Sequence, residues 1–224
     1  MTFTTELRAE HDHLFEAFWA HPFLRGLHDG SAPAETVIHY IGQDHQYLTA
    51  FARCYGLGIA KSPDREWITW FTEQIRFLME DEGHAHHALC KAVGITYDDA
   101  QQEMLAPSAQ AYVDHMMRCA HDTLGVLLSA LLPCAWTYTW AGQRAMTEAP
   151  VAGDNPFRGW WEFYGNPEFS QIVTDLRDRI DRLAAEAGSA ERARMADAFT
   201  RGCQHEVRFW HMAWTLESWT PPPR

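Results

Sequence analysis

Apolar residues recur at three- and four-residue steps along most of the chain, the spacing that places side chains on one face of an α-helix. Leu7, His11, Leu14, Phe15, Phe18 and Trp19 trace one such face and predict a first helix over about residues 5–26. Gly30 ends the turn that follows. Ala32-Pro33-Ala34-Glu35 then carries start signals, a proline at the helix opening and an acid in the first turn, for a second helix to about residue 60. Ser62-Pro63-Asp64 repeats that signature for a third helix reaching Val93 and stopping at Gly94. Thr96-Tyr-Asp-Asp99 caps a short helix, and Pro107-Ser108 opens another that holds Tyr112, His115 and Met116. A strongly apolar helix is expected over 121–147, then a loop over 149–156 and a short aromatic piece over 160–164. Asn166-Pro167-Glu168 starts a helix to about Ala187, and Ser189-Ala-Glu191 starts a last one ending near Ser218. Residues 220–224 read as a proline-rich tail. Hairpin dipeptides and sustained alternation are absent, so the pattern predicts an all-α fold of seven or eight helices in one domain, 1–224.

Two stripes are interrupted by acids. Val37, Tyr40, Ile41, Tyr47, Leu48 and Phe51 mark the buried face of the second helix, and Asp44 sits in its middle. Met195, Phe199, Cys203, Trp210 and Ala213 mark that of the last helix, and Glu206 falls on it. An ionised carboxylate among apolar neighbours costs several kcal/mol unless it finds donors or holds a proton through a raised pKa. Each acid alone is as readily a satisfied core carboxylate as a site residue. The pair favours a pocket, with Glu206 as general acid/base and Asp44 as anchor for a cationic or amidine-like group.

A thiol stands in a similar position. Leu131-Leu-Pro-Cys-Ala-Trp-Thr-Tyr138 places Cys134 directly after a proline inside an apolar run, with Tyr138 one turn further on the same face. Pro133 lacks an N–H and predicts a kink that opens room beside the sulfur. A lone cysteine is more often a small buried hydrophobe, so the two acids are what give this one partners. Tyr47 follows Asp44 at three residues, and Tyr112 and Tyr164 lie among apolar neighbours. Together the tyrosines supply flat walls and hydroxyl donors suited to a planar heteroaromatic ligand.

Composition narrows the partners. A formal net charge of -12 argues against nucleic acid and against anionic membrane surfaces. No run is expected to reach the roughly 18 apolar residues of a membrane span, and the N-terminus has no apolar targeting segment. The five cysteines show no CxxC and no zinc spacing, which reads as reduced thiols in a cytoplasm. Thirteen histidines invite a metal, with Glu80, His84 and His87 on one face, Glu82 and His86 on another, and His11, His13, His205 and His211 elsewhere. A di-metal bundle wants Glu-x-x-His pairs on facing helices. Neither Glu80-Asp81-Glu82-Gly83-His84 nor Glu206 with His211 provides one, so no metal and no other cofactor is expected.

The segments His21-Pro-Phe-Leu-Arg-Gly-Leu-His-Asp-Gly30, Tyr40-Ile-Gly-Gln-Asp-His-Gln-Tyr-Leu48, Pro107-Ser108 leading to Tyr112, Leu127-Leu-Ser-Ala-Leu-Leu-Pro-Cys-Ala-Trp-Thr-Tyr138, Tyr164-Gly165 and Glu206-x-x-Phe-Trp210 occur in this order across nearly the whole chain. Together they resemble the TenA / thiaminase II family, in its cysteine-bearing branch. The resemblance implies a heme-oxygenase-like bundle without heme, usually a homotetramer, acting in thiamin salvage. It implies hydrolysis of 4-amino-5-aminomethyl-2-methylpyrimidine to the hydroxymethyl pyrimidine, with slower cleavage of thiamin. On matching positions, Cys134 is implied as the nucleophile and Glu206 as the proton shuttle. Asp44 is implied as the holder of the ring's amino group and nitrogen, and Tyr47, Tyr112, Tyr138 and Tyr164 as the pocket lining. His45, where the family more often has an aromatic, and Ala32-Pro33, in place of a commoner Leu-Pro, are departures. A non-heme di-iron oxidase on the same bundle and a non-catalytic pyrimidine-binding regulator are the alternatives.

Overall fold

The architecture is that of a computed structural model describing residues 1–80, 83–101 and 104–220, and every regular element among them is helical. Among the described residues twelve helices are distinguished where seven or eight were expected, in part because the first long predicted helix is divided into three. The first becomes α1 (Phe3–Glu10), α2 (Asp12–Ala20) and α3 (Pro22–Asp29). Its apolar period carries across the breaks, but His11 and His21 leave helical geometry. Pro22 disfavours the helical region for His21, whose Nδ1 then accepts from Phe23 N and starts α3. α4 (Ala34–Lys61) follows, with Pro33 as its N-cap residue.

The predicted third helix is α5 (Arg65–Glu80) and α6 (Gly83–Val93). α7 (Tyr97–Ala100) opens on a reciprocal capping box between Thr96 and Asp99. α8 (Pro107–Ala120), α9 (Leu124–Thr147), α10 (Arg158–Tyr164), α11 (Pro167–Glu186) and α12 (Ser189–Thr215) complete the order. Of the predicted tail, residues 221–224 lie outside the described residues.

α9 is the centre around which α8, α10, α11 and α12 pack. It continues as one helix through Pro133. At 24 residues with a mean hydropathy of 1.3 over its most apolar window, it is long and apolar enough to cross a bilayer, which corrects the expectation that no run would be. That window is 78% buried in the fold, so the apolar surface is satisfied by neighbouring helices. Two close approaches fix those neighbours. A Cβ on Gly202 of α12 would come within 2.6 Å of Pro133 Cγ, and one on Gly142 of α9 within 2.5 Å of the Tyr164 carbonyl carbon. The first brings the backbone next to Cys134 against α12, one helical turn before Glu206; the second sets Tyr164 behind Tyr138.

Candidate active site

Four helices deliver the site. Asp44 and Tyr47 come from α4, Tyr112 from α8, Cys134 and Tyr138 from α9, and Glu206 with Phe209 from α12. These seven residues line one small, tightly packed space. Six of the seven residues singled out in the sequence therefore meet at one cavity. Tyr164 stands behind them, its ring edge-on to Tyr138 with centroids 4.8 Å apart. A larger cleft beside Trp219 gathers none of these groups.

The acids are as deeply placed as their stripes predict, Asp44 being 4% and Glu206 2% exposed. Tyr112 Oη donates to Glu206 Oε1 at 2.5 Å. Burial drives the Glu206 carboxyl up to about 8; the Tyr112 hydrogen bond opposes the rise and the nearby Asp44 charge adds to it. At neutral pH Glu206 therefore carries a proton, with Oε1 occupied by Tyr112. Asp44 is held differently. Its Oδ2 accepts from Tyr40 Oη at 3.0 Å and pairs with His86 Nε2 at 2.8 Å, while Oδ1 makes no hydrogen bond to a described residue.

The cysteines sort by exposure. Cys54, Cys90, Cys119 and Cys203 are buried, and burial pushes all four thiols up, that of Cys54 to about 12. Cys134 alone is half-buried. It lines the site cavity and also a second, apolar crevice of about 30 Å³ walled by Leu48, Phe51, Phe77 and Phe169 among others. The sulfur-bearing residue thus stands between the acids and that crevice.

The tyrosines act as a donor-bearing wall. Burial raises Tyr47, Tyr112 and Tyr138 well above the usual phenol value, so all three keep their hydrogens. Tyr47 packs on Tyr112 at 4.8 Å and on Phe209 at 5.5 Å between centroids. Its hydroxyl is buried beside that of Tyr112, makes no hydrogen bond of good geometry to a described residue, and belongs to a residue lining the cavity. A buried hydroxyl without a partner is costly, and a polar ligand would relieve it.

The sequence reading missed three participants. Phe209 lines the cavity and was legible only as part of a motif. Tyr40, taken as core, lies four residues before Asp44 and bonds it; that spacing was a usable signal. His86 was paired with Glu82 as a metal candidate and instead faces Asp44. Glu82 and the side chain of Glu80 lie outside the described residues, and among those described no group of three or more His, Cys, Asp or Glu is placed to hold a metal. Other candidate histidines have different work. His11 bonds Leu7 O and Thr200, while His205 stacks on Tyr112 at 5.0 Å.

The arrangement offers a thiol, a protonated carboxylic acid, an anchored carboxylate and flat aromatic walls around one ring-sized chemistry. Comparison with known proteins places it. The family model described as TENA/THI-4/PQQC family matches residues 8–216. An aminopyrimidine aminohydrolase of Halalkalibacterium halodurans is 30% identical over 221 residues, covering 98% of each chain. The solved structure of a TenA homologue protein from P. horikoshii OT3 superposes with a TM-score of 0.85 at 26% identity, covering 96% of this chain and 99% of the other. A more distant structure from Shewanella denitrificans, described as having a heme oxygenase-like fold, superposes at TM-score 0.62 and 10% identity over 95% and 92% of the two chains, which shows the fold alone.

Proposed function

Since the chain belongs to the TENA/THI-4/PQQC family, we propose that it is an aminopyrimidine aminohydrolase of thiamin salvage. The reaction is replacement of the exocyclic amine of 4-amino-5-aminomethyl-2-methylpyrimidine by water, with thiamin as a second substrate. The observation that carries this reading is the convergence of Cys134, Glu206 and Asp44 on one tyrosine-walled cavity.

The geometry supports the following roles. Asp44, anchored through Oδ2, presents Oδ1 to the ring's amino group and a ring nitrogen, favouring the protonated ring that accepts attack. The Cys134 thiolate adds to that ring, and the C–S bond formed lets the C–N bond of the aminomethyl group break; water then adds to the methylene carbon and the thiolate is expelled as the ring regains its aromaticity. Glu206 donates its proton to the departing amine, then as carboxylate takes one from the incoming water. Tyr112 holds Glu206 in place throughout, and Tyr47 and Tyr138 close over the ring. The whole chain works as one domain, 1–224, and the exposed Met104, Leu216 and Trp219 beside one cleft support assembly into a homotetramer. Five free cysteines support a cytoplasmic location.

Release of ammonia and hydroxymethyl pyrimidine from the aminomethyl substrate tests the reading. Cys134→Ser should abolish turnover; undiminished turnover would overturn the mechanism. Iron at one or two equivalents in active protein would favour the oxidase alternative instead.

A further inference from the structure

Asp44 is the inner end of a buried column of hydrogen bonds. Its Oδ2 meets His86 Nε2 at 2.8 Å. His86 is fully buried and its Nδ1 meets Tyr97 Oη at 2.9 Å. That hydroxyl also meets His45 Nδ1 at 2.9 Å, and His45 is half-buried. Three helices are therefore joined, α4 through Asp44 and His45, α6 through His86 and α7 through Tyr97. Asp44 and His45 are sequence neighbours that point to opposite ends of the column, which leaves the helix through one face and returns through another.

The donor inventory of these groups permits a consistent chain. With Asp44 as carboxylate, His86 must donate from Nε2, so its neutral ring accepts at Nδ1 from Tyr97. Tyr97 has then used its one hydrogen and accepts from His45 Nδ1–H. Every link is filled once and all donors point inward. Tyr40 and His86 anchor Asp44 directly, and the Tyr97 bond to His86 Nδ1 fixes that ring's tautomer; the link on to His45 extends the series towards a half-buried residue.

We infer that His45, Tyr97 and His86 form a proton relay that carries a proton between solvent and Asp44. This rests on the reading of the cavity as a pyrimidine site. Pairing a protonated pyrimidine with a carboxylate takes up one proton that a neutral ring does not bring. In the transfer, water protonates His45 Nε2, and the Nδ1 proton of His45 passes to Tyr97. The Tyr97 proton passes to His86 Nδ1, and the Nε2 proton of His86 passes to Asp44. One proton enters, one arrives, and no heavy-atom bond changes. The titratable groups facing this column include Asp44 and Tyr40 on the same helix as His45, His86 and His87 on α6, Tyr97 on α7, and Tyr138 on α9 beyond Tyr40. His86, His87 and Tyr97 are thus positioning residues, or their neighbours, and none touches the ring.

Tyr97→Phe removes both outer links with almost no change of shape, and His45→Phe removes only the outermost. Each is compared with the parent for kcat and KM on the aminomethylpyrimidine, across pH and in heavy water. The expected result is an active parent, and a Tyr97→Phe variant with kcat lower by roughly tenfold, KM changed by less than about twofold, and a larger solvent isotope effect. His45→Phe should show the same isotope signature, which guards against a folding defect confined to one variant. Parent-like kcat and isotope effect in both variants would overturn the relay and leave the function standing. A loss carried by KM with an unchanged isotope effect would show a structural role and overturn it equally. An inactive parent would overturn both readings.

Discussion

The Tyr112 hydroxyl donates to Glu206 at 2.5 Å inside a site where the carboxyl is only 2% exposed. One contact therefore has two opposed effects. It stabilises the ionised form of an acid whose burial favours the neutral form, and burial is the larger of the two. The outcome is an acid still protonated at neutral pH yet able to work as a base after giving up its proton.

Activity should accordingly fall on the alkaline side, with an apparent pKa near the value of about 8 held by Glu206. Glu206→Gln removes the titrating group and should reduce turnover by at least 10²-fold, flattening whatever rate remains. A pH–rate profile of both proteins checks this; an alkaline limb that survives in Glu206→Gln would assign it elsewhere.

The same shift has a stability consequence. The carboxyl is raised from 4.5 in the free group to about 8 in the fold. Between those values the folded chain holds a proton that the unfolded chain has released, so stability is full below about 4.5 and declines as pH rises to about 8. Each unit of difference is worth about 1.4 kcal/mol, so the decline is on the order of a few kcal/mol. Denaturant unfolding at acid and mildly alkaline pH should show Glu206→Gln less sensitive over this window than the parent.

Cys134 should be the thiol that reacts first. It is half-buried, whereas the other four cysteines are buried with thiols driven upward. A small alkylating agent should label about one site per chain, mapped to Cys134 by mass spectrometry, and hydroxymethyl pyrimidine should protect it. Labelling spread evenly over the five would contradict this.

Tyr47→Phe should separate binding from stability. Its hydroxyl makes no hydrogen bond of good geometry to a described residue, so deleting it removes a buried unsatisfied group and should leave stability unchanged or raise it by up to about 1–3 kcal/mol. If that oxygen bonds the ring, affinity for the pyrimidine product should fall severalfold. Calorimetric titration and thermal unfolding of the one variant measure both.

Gly202→Ala should loosen the site from outside it. The added methyl would meet Pro133 Cγ at 2.6 Å and Ala130 O at 3.2 Å, forcing α12 and α9 apart. Overpacking of this kind costs about 1–3 kcal/mol. Glu206 and Cys134 are carried by the two displaced segments, so turnover should drop with stability; thermal unfolding and activity read the pair.

The sequence by itself determined the helical class, the buried stripes and the identity of the chemical groups. Asp44 and Glu206 were legible because a carboxylate on an apolar stripe stands out at a fixed period, and Cys134 because it follows a proline in an apolar run. Periodicity is a local property, however, and it passed straight through His11 and His21, where the chain leaves helical geometry without losing the face. It also could not say which faces meet. Only packing around α9 decided that Cys134 and Glu206 approach through Pro133 and Gly202, that Tyr164 stands behind Tyr138, and that His86 turns to Asp44. Those contacts join residues up to 94 positions apart, as between Tyr112 and Glu206, and their geometry is set by the close fit of helices rather than by any residue's neighbours in the chain.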